Sequence, residues 1–430
     1  MSKHLSRRQF LKLSGLAAAT AATGFPLSLS TLAQDTALSV MLWGSFIPTN
    51  NPLLESLMGD WASRNGVSLD VTFTGFGQLS DTLATAAATG AGPDVMGMLY
   101  VRPHQFAEAL VDVSDIAESI GERMGGWFDV ARESCVVDGV WRAVPFFITA
   151  HAMVYREDIF QEAGYDAFPE TWEDLLVAGT EIKRLGLPPI GFSLGRAEGD
   201  ANNFLLSLLW SFGGAVWDED GNIALDSAET RQAIEFVQQL YNDAMDPSVL
   251  EWDDGANNRG FLAGEISATN NASSILWAGR RDKIEFMETT NHASYPAGPA
   301  GLVQLAQLVS LGIMNYAQDV DAAKNLIDFI MSEQVWLPLG LDGFAFYYPA
   351  FKGLEDNPAM PWNFDPKLSA FKGLPENAKT FGYPGKPSPV ASEVAVNFII
   401  IDMFSSVAAG VASTDEAIAT AIEQINDLLA

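Results

Sequence analysis

The sequence predicts an α/β protein organised as two units, and three observations predict it. The chain has 430 residues, more than one ordinary hydrophobic core accommodates. Short apolar runs alternate with amphipathic segments, the pattern of strands interleaved with helices. That alternation starts afresh near Phe146. With 48% hydrophobic and 11% aromatic residues, the composition supports a substantial core and excludes a disordered chain.

In the first unit, Leu38 to Trp43 is uncharged, with Ser39 its only polar residue, and reads as a strand. Pro52 to Arg64 reads as a helix, because Leu53, Leu54, Leu57, Met58 and Trp61 recur at helical spacing. Val67 to Phe73 alternates as a second strand. Gln78 to Thr89 is helical, and Asp94 to Leu99 is a third strand. This β-α-β-α-β order implies right-handed crossovers and a parallel sheet.

The second unit opens with a strand-like run, Phe146 to Tyr155. Thr171 to Leu185 reads as a helix, with Thr171 as N-cap, Asp174 completing a capping pair and Gly186 past the end. Strands are expected over Pro189–Leu194, Glu265–Asn270 and Leu308–Met314. Helices are expected over Asp226–Tyr241, Asp321–Met331 and Thr414–Leu429. Phe351 to Pro389 holds many prolines and five lysines, and reads as irregular surface.

Residues 1–33 stand apart. Arg7-Arg8-Gln9-Phe10-Leu11-Lys12 followed by a weakly apolar run is the twin-arginine export pattern, with cleavage expected after Ala33. The expected destination is the periplasm. Loss of Lys3, Arg7, Arg8 and Lys12 leaves 20 basic residues against 54 acidic ones, a net charge of −34. Such a surface excludes nucleic acid and an anionic bilayer as partners. Cys135 is the only cysteine, so no disulfide forms within the chain. No later apolar run of roughly 18 residues is evident, so no membrane span is expected.

Several segments, in order along the chain, carry a resemblance. They are Thr89-Gly90-Ala91-Gly92-Pro93-Asp94-Val95, Val144-Pro145-Phe146-Phe147, Met153 to Phe160, Phe168-Pro169-Glu170-Thr171-Trp172, Gly260 to Ala268, and Pro296 to Gly301. Together they resemble the extracellular solute-binding proteins of ABC sugar importers, the maltose-binding-protein relatives. The resemblance implies a two-lobed periplasmic binding protein fold of type II, with discontinuous lobes joined by crossing strands. It places lobe 1 at 34–145 plus 300–348 and lobe 2 at 146–299 plus 349–430. It further implies a carbohydrate ligand in the cleft, the membrane subunits of an ABC transporter as partner, no cofactor, and a monomer. The lobes are expected to close over the ligand by hinge motion.

A sugar presents hydroxyls and apolar C–H faces, so its site needs planar aromatics beside groups that donate and accept. Trp43 ends the first strand, where parallel-sheet sites open, and Phe46 follows it. The resemblance points also to Tyr100 and Arg102 after the third strand, Thr149 and His151 on the crossing segment, and Asn203. It adds Asn271 and Trp277 after the Ile266 run, and Phe344 on the return segment. Val101 stands where maltose binders carry an acidic residue, which weakens the case for maltose.

Other readings stay open. His104, His151 and His292 show no metal-ligand spacing with each other or with Cys135. No nucleophile elbow, phosphate loop or dinucleotide fingerprint appears. An exported oxidoreductase or a glycoside hydrolase would be the enzymatic alternative. A non-sugar solute is the binding alternative: Arg102, Arg196, Arg280 and Arg281 would suit a phosphate ester, and the acidic surplus would suit a polyamine.

Overall fold

The computed structural model describes Thr36–Ala430. The export signal and the expected cleavage point after Ala33 lie outside these residues. Strand β1 (Thr36–Trp43) leads through helix α1 (Asn50–Asn65) to β2 (Val67–Thr74), then through α2 (Phe76–Thr89) to β3 (Val95–Leu99). Both helices end at a glycine in the left-handed region, Gly66 and Gly90, where a Cβ would be strained. β1 pairs in parallel with β2 and with β3, as the crossover rule requires.

The strand-like run after Pro145 is two strands in different sheets. β4 (Val144–Thr149) joins the first sheet, and β5 (Ala152–Arg156) begins another. Ala150 and His151 make the passage between them. Next come α3 (Trp172–Arg184), α4 (Asp200–Ser211), α5 (Ala228–Ala244) and α6 (Ala256–Leu262). Thr171 caps α3 by accepting the Asp174 N–H at 3.1 Å, as its sequence indicated. β6 (Ala268–Asn271), α7 (Ser274–Arg281) and β7 (Thr290–Ala293) complete a three-stranded antiparallel sheet in the order β6-β5-β7.

The chain then returns. β8 (Gln307–Ile313) runs antiparallel between β3 and β4 in the first sheet. After α8 (Val320–Ile330) and α9 (Glu333–Asp342), β9 (Tyr347–Pro349) adds to the edge at β4. The six-stranded order is β9-β4-β8-β3-β1-β2. Helices α10 (Pro389–Val396), α11 (Ile399–Ala408) and α12 (Thr414–Leu429) end the chain, with α11 packed on α4, α5 and α12. Ser413 and Glu416 form a reciprocal capping box at α12.

Three expectations need correction. Pro189–Leu194 is not a ladder strand; only Ile190 makes isolated bridges, to Met245 and Ala268. Its backbone bonds are split between two neighbours, with Gly191 N–H donating to the Ala268 carbonyl at 2.9 Å and Leu194 N–H to the Val249 carbonyl at 2.9 Å, so no continuous ladder forms. The segment from Phe351 to Pro389 is irregular but not merely surface. Phe351, Met360, Trp362, Leu368 and Phe371 are buried anchors, and Trp362 stacks on Tyr348 at 4.4 Å. Its lysines are partly structural: Lys367 donates to the carbonyl of Glu288 at 2.8 Å, and Lys372 pairs with Asp356 at 2.8 Å. Finally, Pro389–Ala408 is long and apolar enough to cross a membrane by length and composition. Here it is α10 and α11, broken at Phe398 with φ 59°, and packed into the core.

Candidate ligand-binding site

The passage Thr149–Ala150–His151, the start of β8 and the start of α4 meet at one cavity. Its cavity volume is about 20 Å³. One wall is aromatic: Trp43 at the end of β1, Phe46, Phe76 at the start of α2, and Phe346. Trp43 is held by its neighbours, with ring centroids 4.4 Å from Phe76 and 5.7 Å from Phe346. Phe46 is 39% exposed and stands at the mouth.

The opposite wall is polar. Asp200 is the first residue of α4, and Asp254 lies beside it. One Asp254 oxygen accepts the N–H groups of Gly199 and Asp200, each at 2.9 Å, satisfying donors that the α4 N-terminus would otherwise leave bare. Burial raises the Asp254 carboxyl to about 6, and the Glu198 and Asp253 charges add to the effect. Burial also raises Asp200 well above the usual carboxylate range, with help from the Asp254 charge. Asn258, Asn271 and Ser274 close a ring of hydrogen bonds: Asn271 Nδ2 to Asn258 Oδ1 at 2.6 Å, Ser274 Oγ to Asn271 Oδ1 at 2.9 Å, and Asn258 Nδ2 to Ser274 Oγ at 3.0 Å.

His151 sits between the two walls. Asn203 Nδ2 donates to Gln307 Oε1 at 3.2 Å, which makes that oxygen an acceptor. His151 Nε2 contacts the same oxygen at 2.9 Å and therefore carries the proton. The free lone pair is then on Nδ1, 3.9 Å from Asp200 Oδ1. Desolvation pushes His151 down to about 4, so the ring is neutral at ordinary pH. Thr149 Oγ1, His151 Nδ1 and Asp200 Oδ2 are buried and without a partner in the protein. Buried polar atoms are paired in the great majority of proteins, so three at one cavity mark a place built for a ligand's polar groups.

Of the residues read from the sequence, Trp43, Phe46, Thr149, His151 and Asn271 line this cavity. Asn203 and Tyr100 stand one layer behind it: Asn203 reaches Gln307, and the Tyr100 hydroxyl donates to the Glu198 carbonyl at 3.2 Å. Arg102 is buried in an ion pair with Glu198 at 2.9 Å. Trp277 and Phe344 do not line the cavity; Arg281 covers the first ring at 4.9 Å and Arg280 the second at 5.4 Å. The reading missed Phe76, Phe346, Asp200, Asp254, Asn258, Ser274 and Gln307. Two signals could have found some of them: an aspartate opening an apolar run at Asp200, and a glutamine opening the apolar strand at Gln307.

The arginines that would suit an anion are engaged elsewhere. Arg196 pairs with Asp402 at 2.7 Å, Arg280 with Asp365 at 2.5 Å and Arg281 with Asp282 at 2.7 Å. Among the described residues, no group of three or more His, Cys, Asp or Glu side chains is placed to hold a metal ion.

Comparison with known proteins places this architecture. A binding protein of Brucella abortus (strain 2308) is 22% identical over 294 residues, covering 66% of this chain and 69% of its own. Maltose-bound MalE3 of T. maritima superposes with a TM-score of 0.79 at 22% identity, covering 91% of this chain and 100% of that one. An ABC transporter solute-binding protein of Thermotoga lettingae, bound with α-D-tagatose, also reaches 0.79, at 20% identity, covering 92% of this chain and all of its own. These likenesses show the two-lobed type II binding-protein fold. Residues 4–24 match the twin-arginine translocation signal, which directs the chain to the periplasm. Residues 48–335 match the bacterial extracellular solute-binding protein family, to which this chain belongs.

Proposed function

We propose that this protein is the periplasmic substrate-binding subunit of an ABC importer, capturing a carbohydrate in the cleft and delivering it to the membrane subunits. The observation that carries the reading is the pairing of an aromatic wall with an acceptor-rich wall that includes no arginine or lysine. Aromatic rings suit the apolar faces of a sugar ring, and Asp200, Asp254 and His151 Nδ1 suit its hydroxyl donors. The tagatose and maltose complexes of the structural neighbours are consistent with this chemistry. The protein acts as a monomer by binding rather than by turnover, with lobe 1 formed by 34–145 plus 300–348 and lobe 2 by 146–299 plus 349–430.

A second reading has one observation in its favour. Two buried carboxylates facing aromatic rings would also suit an organic amine, through charge pairing and cation–π contact. A phosphate ester is disfavoured, because it would meet two acids and no cation. Thermal unfolding of the exported form against neutral sugars, polyols, amines and phosphate esters separates the three. A ligand at 100 times its Kd stabilises by about 2.7 kcal/mol. A shift with sugars or polyols alone supports the proposal; a shift with amines alone overturns it.

A further inference from the structure

Resting on the reading of this cavity as the sugar site, we infer that Arg102 and Glu198 form an autoinhibitory latch, which holds the cleft shut and must part before a ligand enters. The space between the aromatic and polar walls measures about 20 Å³, enough for about one water. Pockets that hold small-molecule ligands run to roughly 300–1,000 Å³. The walls must therefore move apart to admit even one sugar ring, and the contacts that join them oppose that movement.

The two walls belong to different sheets. Trp43 ends β1 of the six-stranded sheet, and Phe76 opens α2, which follows β2 of the same sheet. Asp200 opens α4, and its carbonyl accepts from Asn270 Nδ2, on β6 of the three-stranded sheet, at 3.0 Å. Arg102 spans the two. Its Nη2 donates to Ser80 Oγ at 2.8 Å and to Glu198 Oε1 at 2.9 Å. Ser80 lies on α2, one turn along from Phe76 of the aromatic wall. Glu198 immediately precedes Gly199 and Asp200 of the polar wall. One guanidinium thus draws both walls together. Tyr100 adds a second tie from the same strand end, its hydroxyl donating to the Glu198 carbonyl at 3.2 Å.

Two observations mark the shut arrangement as held under strain. Tyr100 sits at φ 52°, a left-handed conformation uncommon for a bulky side chain. Such conformations persist where the surroundings over-determine them, and they gather at ligand clamps and switches. Thr149 Oγ1, His151 Nδ1 and Asp200 Oδ2 meanwhile lie buried with no partner in the protein. Leaving such atoms unpaired is unfavourable, and opening to solvent relieves it. The latch offsets both effects. A ligand that satisfies these atoms must first find the latch parted, so its apparent affinity is reduced by the fraction of molecules that stand open.

Small-angle scattering of the exported protein, with and without aldohexoses, ketohexoses, hexitols and maltose, tests the latch beside calorimetry with the same compounds. Without sugar the wild type should scatter as the shut structure, and sugar should not contract it. Arg102→Ala with Glu198→Ala removes both charges, so neither is stranded. This double variant should show a larger radius of gyration and bind sugar about 10-fold more tightly, a gain of about 1.4 kcal/mol. Tyr100→Phe keeps the ring and removes only the hydroxyl tie; it should tighten binding by a smaller factor. A wild type that contracts on adding sugar overturns the latch and leaves the carbohydrate reading intact. So does a double variant, or Tyr100→Phe if the double variant does not fold, whose measured sugar affinity is no higher than that of the wild type. A double variant that expands, while neither form binds any sugar or polyol, keeps the latch and overturns the carbohydrate reading.

Discussion

Arg102 and Glu198 form an ion pair at 2.9 Å with side chains only 4% and 10% exposed, linking the segment after β3 to the start of α4. Removing one member of a buried pair strands the other charge and costs roughly 3–5 kcal/mol. Arg102→Met is therefore expected to lose about that much stability in urea unfolding. The double variant Arg102→Met with Glu198→Met is expected to regain most of it. Equal losses in the two variants would mean that the pair itself, and not the stranded carboxylate, is the source of the effect.

The hydrogen-bond chain from Asn203 through Gln307 to His151 fixes which ring nitrogen faces the cavity. Gln307→Leu frees His151 to change tautomer and leaves its Nε2 without an acceptor. Ligand affinity should fall by about 0.5–1.5 kcal/mol, the net worth of the one hydrogen bond that His151 Nδ1 would accept from the ligand. Unchanged affinity in this variant would remove His151 Nδ1 from the recognition scheme.

Phe46 lines the cavity and Trp277 does not. Phe46→Ala should weaken ligand binding by roughly 3- to 10-fold, the loss of one aromatic contact of about 0.5–1.5 kcal/mol. Trp277→Ala should leave affinity within about 2-fold, because surface changes away from a site usually stay within ±0.5 kcal/mol. The reverse ranking, read by calorimetry, would mean that the bound cleft reaches α7.

Two buried groups give opposite pH dependences. Unfolded, Asp254 titrates near the usual 3.9 or so; folded, it is raised to about 6. The folded chain binds this proton more tightly, so the contribution is fully present below pH about 4 and is lost as pH rises to 6. His151 is depressed to about 4, from an unperturbed value of about 6.5. Its contribution is present above pH about 6.5 and lost as pH falls towards 4. Asp254→Asn keeps the carbonyl that accepts from Gly199 and Asp200 and abolishes the first effect. It should match the wild type at pH 4 and exceed it by about 1–3 kcal/mol at pH 7. A variant less stable than the wild type at pH 7 would contradict this assignment.

Much of this architecture was legible because amphipathic periodicity records one-sided burial. α1, α3, α5 and α12 each bury one face, and their sequences show it. Helix α4 was not legible, because every one of its residues is buried and no polar face marks it. The site divides in the same way. Trp43, Thr149 and His151 belong to strands or to the passage between them, whose positions follow from topology. Asp200 comes from the buried helix α4, Asp254 from a loop and Asn258 from α6, all brought in by tertiary packing, so their spacing along the chain carries no trace of their meeting. Trp277 followed the right strand, but it sits far enough along α7 to meet Arg281 instead of the cavity.

The most direct test of carbohydrate capture is tryptophan fluorescence titration with neutral sugars and polyols, run in parallel on the wild type and on Asn271→Ala, which breaks the Asn258–Asn271–Ser274 ring. Trp43 lines the cavity, so occupancy should change its emission saturably. The expected result is saturable binding of at least one neutral sugar or polyol, weakened roughly 10-fold or more in Asn271→Ala, about 1.4 kcal/mol. No saturable response to any neutral sugar or polyol, together with a response to amines, would contradict the account.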